Sequence, residues 1–176
     1  MIRILGIDPG SRITGYGIIE MRPNQAVCVS HGCIKAQQDT LAERLRYIHL
    51  GLVEIIEQYS PEEMAIESVF VHRNVDSALK LGQARGAAIA CVALTSVPVH
   101  EYSPAEIKKS VVGRGNAAKS QVQHMVKAIL GLHKSPQADA ADALAIALCH
   151  GYSRDLKKLL PQLRSSSRRN KRWKSL

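Results

Sequence analysis

The sequence predicts an α/β fold: one mixed β-sheet with helices packed against it. Three observations carry this. The first fifth of the chain reads as three strands in succession. After it, short apolar strand segments alternate with segments of helical periodicity. A length of 176 residues with 45% hydrophobic content supplies one well-buried core and is short for two.

Each element follows from local pattern. Ile2 to Asp8 is almost continuously apolar, as a central strand covered on both faces would be. Asp8-Pro9-Gly10-Ser11 forms a tight turn, with proline pre-setting one backbone angle and glycine free to take a positive one. Thr14 to Glu20 and Ala26 to Ile34 are further strands across the turn signal Arg22-Pro23-Asn24, so the three make an antiparallel meander. Thr40 and Glu43 form a capping-box pattern ahead of a helix whose Leu41, Leu45, Ile48, Leu52, Ile55, Ile56 and Tyr59 share one face. After Pro61 a short strand runs to Glu67, and Asp76 is the expected cap of a long small-residue helix from about Ser77 to Leu94. Val97 to Tyr102 is a strand, Ser103-Pro104 opens a short helix, and Gly113 and Gly115 break it. Asn116 is the expected cap of the next helix, and Ser135 and Pro136 suit the start of the last one, expected to end near Gly151.

Charge and cysteine usage narrow the function. The formal net charge is +9, and six cations (Arg164, Arg168, Arg169, Lys171, Arg172, Lys174) follow Leu163 without an intervening acid. One domain is therefore expected over residues 1–156, with a basic, flexible tail over 157–176. Such a tail can track a phosphate backbone or serve only as a solubilising end. Cys28, Cys33, Cys91 and Cys149 lack C-x-x-C spacing, which suits a reduced cytoplasmic protein. The seven histidines show no metal-binding pair on a predicted helix, so zinc is not expected. No run of 18 or more apolar residues suggests a membrane span, and no signal peptide is expected.

Four acidic residues sit where such a fold wants apolar ones. Asp8 ends Ile2 to Ile7, Glu67 ends Met64 to Ile66, and Asp139 and Asp142 are the polar side chains of the run from Ala138 to Cys149. The i, i+3 spacing puts Asp139 and Asp142 on one helix face, near an N-terminus that favours their ionised form. Ionised carboxylates are costly to bury unless paired or bound to a cation, and a cluster repels itself until divalent metal arrives. Individually, Asp8 could be a turn aspartate and Glu67 a strand leaving the core. Together the four form a cage for hard, oxygen-bound metal ions, suited to phosphodiester hydrolysis.

Four ordered blocks then carry a resemblance that covers nearly the whole chain. They are Gly6-Ile7-Asp8-Pro9-Gly10-Ser11 with Thr14-Gly15-Tyr16-Gly17; Ala65-Ile66-Glu67-Ser68-Val69-Phe70; Lys80-Leu81-Gly82-Gln83-Ala84-Arg85-Gly86; and Gln137-Ala138-Asp139-Ala140-Ala141-Asp142-Ala143-Leu144-Ala145. In this order they resemble the signatures of the RuvC family of bacterial Holliday junction resolvases. Ser68 departs from the glutamine often found there in the family. The resemblance implies a ribonuclease H-like nuclease domain with Asp8, Glu67, Asp139 and Asp142 as the metal-binding catalytic carboxylates. It implies Mg2+ as cofactor, two ions per active site during catalysis, with Mn2+ able to substitute. It further implies a homodimer that cuts two symmetric strands of four-way junction DNA in recombination and repair, leaves ligatable ends, and works with the RuvA and RuvB branch-migration complex.

Four more residues are candidates for holding DNA. Phe70, the one phenylalanine of the chain, follows Glu67 by three positions and precedes His72-Arg73-Asn74. An aromatic beside a nuclease site can stack on a base or wedge open a step, and the resemblance implies that role, with Arg73 bracing the same strand. Without the resemblance Phe70 would read as an ordinary core residue. Lys108 and Lys119 match family lysines near the scissile phosphate. Lys119 lies in a predicted first turn, where a cation opposes the helix dipole unless an anion binds. The segment Gly113 to Ser120 comes within one residue of a P-loop, but Ala118 replaces the required glycine and no strand clearly feeds it. The helix from Ser77 carries Leu79, Gln83, Gly86, Ala87 and Ala90 on neighbouring turns, suited to close approach of another helix or to packing on the sheet. The competing readings are an actin-like kinase, for which the chain lacks a second lobe, a non-catalytic DNA-binding module, and a ribonuclease H acting on another nucleic acid.

Overall fold

In a computed structural model, residues 1–68 and 75–170 are described, with side chains described up to 156. The expected meander is β1 (Ile2–Asp8), β2 (Ile13–Arg22) and β3 (Gln25–Lys35), followed by α1 (Leu41–Tyr59), β4 (Glu63–Glu67), α2 (Val75–Ala93), β5 (Val99–Tyr102), α3 (Pro104–Val112), α4 (Lys119–Ile129) and α5 (Ala138–Asn170). The sheet order is β3-β2-β1-β4-β5. β1, β2 and β3 pair antiparallel, whereas β4 runs parallel to β1 and β5 parallel to β4.

Side-chain alternation divides the core in two. Leu5, Ile7, Ile18, Met64 and Ile66 point to one face and pack with Ile48, Leu52, Ala84 and Ala88 of α1 and α2. Ile2, Ile4, Ile19 and Ala65 point to the other, against Leu144, Ala145 and Leu148 of α5 and Ile107, Val122 and Val126 of α3 and α4. A one-residue slip in β1 would exchange the two sets, so both layers fix its register. α1 carries the expected capping box, with Thr40 Oγ1 accepting from Glu43 N. α3 repeats the device with Ser103 and Glu106 and ends on Gly113 at φ 81°.

Four helix boundaries differ from the sequence expectation. Asp76 lies inside the first turn of α2 and pairs with Lys80 one turn on. Ala118, rather than Asn116, precedes α4, because the Gln121 side chain reaches back to accept from Ala118 N at 2.9 Å. α5 begins after Gln137, whose carbonyl accepts from Ala141 N, and not at Ser135-Pro136. It also continues past Gly151 to Asn170. Gly151 is a contact position and not a stop: a Cβ there would lie 2.6 Å from Met21 Sδ on β2. Among the described residues no helix is long and apolar enough to cross a membrane.

Candidate active site

The parallel pairing of β1 with β4 builds half of the site. Ile7 is registered with Ile66, so Asp8 and Glu67 follow at the C-terminal ends of neighbouring strands. The alternation that sends Ile4 and Ala65 toward α5 sends Asp8 and Glu67 to the same face. Carboxyl ends of parallel strands are where α/β sheets expose functional groups.

α5 supplies the other half, and glycine lets it come close enough. A Cβ on Gly15 would stand 2.1 Å from the Asp139 carbonyl oxygen, one on Gly6 2.1 Å from that of Ala143, and one on Gly17 2.7 Å from Leu144 Cδ2. Any side chain at these positions drives α5 off the sheet, and with it Asp139 and Asp142. The turn after Asp8 is held separately: buried Thr14 donates through Oγ1 to the Gly10 carbonyl at 2.9 Å. At the end of β4, Arg85 Nε donates to the Glu67 carbonyl at 3.1 Å while its other nitrogen pairs with Glu101 at 2.5 Å. Ser68 closes the edge by donating from N and Oγ to the Tyr102 carbonyl at 2.8 and 3.1 Å.

The four carboxylates are half-buried, and their fields meet at Asp8. Burial first, then the charges of Asp142, Glu67 and Asp139, push the Asp8 carboxyl up from 3.8 to about 7, against a smaller opposing pull from Lys119. Glu67 is raised by burial and by Asp142, with Lys108 and Lys119 pulling it down. The Lys119 ammonium sits 2.5 Å from Asp142 Oδ2, and its own pKa rises through that hydrogen bond. That partner answers the objection to a cation in the first turn of α4. Lys108 and Lys119 also line a cleft of about 180 Å3 with Glu67 and Asp142. The segment that resembles a P-loop follows α3, a helix, so it has no strand to feed it.

The donor set fits a hard divalent cation: four carboxylates, oxygen donors throughout, already drawing in an ammonium as counter-charge. Among the described residues, the trio of His, Cys, Asp or Glu ligand atoms lying within 4.8 Å of one another is Glu63, His100 and His150, which sequence reading did not single out. The structure thus brings Asp8, Glu67, Asp139, Asp142, Lys108 and Lys119 to one place. Phe70 and Arg73 lie outside the described residues. Arg85 is the positioning residue that the sequence reading quoted without a role.

The comparisons agree in one direction. Residues 4–150 match the family model described as crossover junction endodeoxyribonuclease RuvC. A crossover junction endodeoxyribonuclease RuvC of Hahella chejuensis is 54% identical over 168 residues, covering 96% of this chain and 98% of the relative. That of Idiomarina loihiensis is 60% identical over 158 residues, covering 87% and 89%. Among solved structures, Thermus thermophilus RuvC in complex with Holliday junction substrate superposes with a TM-score of 0.84 at 34% identity, covering 89% of this chain and 97% of that one. The five-stranded mixed sheet with its helices is the ribonuclease H-like fold expected from the sequence.

Proposed function

The chain belongs to the RuvC family of crossover junction endodeoxyribonucleases, and we propose on that premise that it resolves Holliday junctions by paired, symmetric, metal-dependent phosphodiester cleavage during DNA recombination and repair. The observation that carries this reading is the convergence of four carboxylates at the ends of β1 and β4 and on α5, with Asp8 held to about 7 by burial and by the other three.

Asp8, Glu67, Asp139 and Asp142 hold the metal in this reading, and Mg2+ is the cofactor, with Mn2+ able to replace it. When bound, a divalent pair supplies hydroxide at neutral pH and neutralises charge that builds on the phosphorus oxygens. The residues of the chain do the rest. Asp8 and Glu67 sit on strand ends that cannot shift without breaking sheet hydrogen bonds, so they fix where the scissile phosphate must lie. With Asp142 holding metal, Lys119 would be free to meet the scissile phosphate beside Lys108 at the rim of the cleft. Phe70 and Arg73, on the segment after β4, engage the DNA strand near the point of exchange. The basic tail from residue 157 adds phosphate contacts outside the nuclease domain of residues 1–156.

Two symmetric cuts call for two copies, and a homodimer matches a two-fold junction. The outward face of α2 supports this: Val75 and Leu79 are 78% and 60% exposed, and side chains added at Gly82 or Gly86 would meet nothing within 4 Å. The protein works in the cytoplasm with the RuvA and RuvB branch-migration complex.

The test is to incubate the purified protein with a synthetic four-way junction, a matched duplex and an RNA–DNA hybrid, with magnesium or with chelator, and to map the nicks. Paired nicks at symmetric positions in the junction, with magnesium alone, are expected. Cleavage of the hybrid instead would make it a ribonuclease H, and binding without cleavage would make it a DNA-binding module.

A further inference from the structure

Glu63, His100 and His150 meet at the end of β4 remote from the four carboxylates. Alternation along β4 places Glu63 on the α5 face, as it does Ala65 and Glu67, but at the opposite end of the strand from Glu67. Parallel pairing sets His100 of β5 beside Ala65. α5 then lowers His150 onto both strands, and the two imidazoles stack with centroids 4.2 Å apart and planes 23° from parallel.

The surroundings hold two of these groups, Glu63 and His150, in place. Arg154 Nε donates to Glu63 Oε1 at 2.9 Å and leaves Oε2 facing the rings. That Oε2 lies 2.5 Å from His150 Nε2 and 4.0 Å from His100 Nε2. Tyr102 Oη lies 2.8 Å from His150 Nδ1 and fixes the ring so that Nε2 points at the carboxylate. Burial, partly opposed by Glu63, holds His150 below the usual imidazole range. Burial pulls Glu63 upward, but hydrogen bonds from His150 and Arg154 outweigh it and hold the carboxyl below its usual value.

We propose that Glu63, His100 and His150 form a second metal site, distinct from the carboxylate cage, that takes a transition-series divalent cation of the zinc or cobalt type. The donor set decides the class. Two imidazoles and one carboxylate suit borderline ions, whereas Mg2+ prefers oxygen throughout. With bonds of about 2.0–2.2 Å to nitrogen and oxygen, the short His150 contact opens slightly and the His100 contact closes. His100 makes the adjustment, turning out of its stack on His150 so that the two Nε2 lone pairs converge: its side chain is 37% exposed on the edge strand, whereas that of His150 is 4% exposed. On binding, the cation takes the Nε2 lone pair of His150, and the ring proton resides on Nδ1, where Tyr102 Oη accepts it. Imidazole ligands commonly have their other nitrogen fixed in this way. The open side, next to His100, leaves a position for water. A cation here ties β4 and β5 to the middle of α5, the helix whose first turns carry Asp139 and Asp142.

The test uses full-length protein carrying Asp8→Asn and Asp139→Asn, which disables the carboxylate cage, titrated with Co2+ and followed by visible absorption and thermal unfolding. One equivalent of Co2+ should produce the d–d bands of a nitrogen-ligated ion and raise Tm, and chelator should reverse both. Adding His100→Ala should weaken Co2+ binding about 100-fold or more, while His100→Cys should restore the bands and add a thiolate charge-transfer band. Absence of bands in the parent, or unchanged bands and affinity in His100→Ala, overturns the proposal. Because the readout is spectroscopic and the cage is disabled, failure here leaves the junction-cleaving assignment untouched.

Discussion

Asp8→Asn should stabilise the metal-free protein, by a margin that grows as pH rises from 3.8 to about 7. The carboxyl is raised from 3.8 to about 7 by burial and by three neighbouring acids. At about 1.4 kcal/mol per tenfold change in ionisation, the ceiling on this destabilisation is about 4 kcal/mol. Access of water to the half-buried site lowers the expected gain to about 1–3 kcal/mol. The sign follows from proton counts. Between 3.8 and about 7 the native state holds a proton that the unfolded chain has released, so wild-type stability falls as pH rises through that window and levels off above it. Asparagine keeps the shape and has no charge to lose. Urea unfolding in chelator at pH 5 and pH 8 reads the effect. The variant should exceed wild type by its full margin at pH 8, by less than half of that margin at pH 5, and show the shallower fall between them, the remaining slope coming from Glu67. Magnesium should narrow the difference at pH 8 by stabilising wild type more. Equal stability at pH 8, or the same gain at both pH values, would refute an electrostatically strained cage.

Asp139→Asn should retain junction binding in a mobility-shift assay and lose cleavage by about 1000-fold or more in single-turnover kinetics, since removing one charge-stabilising group typically costs at least that order when groups act as a unit. Gly15→Ala should destabilise by about 3 kcal/mol or more by denaturant titration and also lower cleavage, because its Cβ would enter the Asp139 carbonyl. Lys119→Met should raise the Asp8 and Glu67 pKa values further, moving the acid limb of the pH–rate profile to higher pH, because the Lys119 charge lowers both in the native protein. Leu79→Glu should shift the proposed homodimer toward monomer in sedimentation and convert paired nicks into single ones.

Local signals were readable in the sequence. The capping box at Thr40, the helix start at Ser103-Pro104, the apolar run of β1 and the two aspartates in an alanine-rich stretch each rest on residues within a few positions of one another. Asp139 and Asp142 stood out because burial of an apolar helix leaves no ordinary reason for two acids on one face. Boundaries that depended on a competing partner were misread. Asn116 looks like a cap, but Gln121 satisfies the backbone two residues later, and Gly151 looks like a stop until Met21 is seen packed on it. The glycines at 6, 15 and 17 were legible as motif letters, yet their physical role required the path of α5. Pairings across the fold left no local trace: Lys119 with Asp142, Arg85 with the end of β4, and Glu63 with two histidines 37 and 87 residues further on.

The most direct test of the four-carboxylate cage is anomalous diffraction from crystals soaked in Mn2+. Manganese density bounded by Asp8, Glu67, Asp139 and Asp142, with the Lys119 ammonium withdrawn from Asp142, is the predicted result. Manganese bound elsewhere, with these carboxylates unligated and Lys119 still on Asp142, would contradict the account.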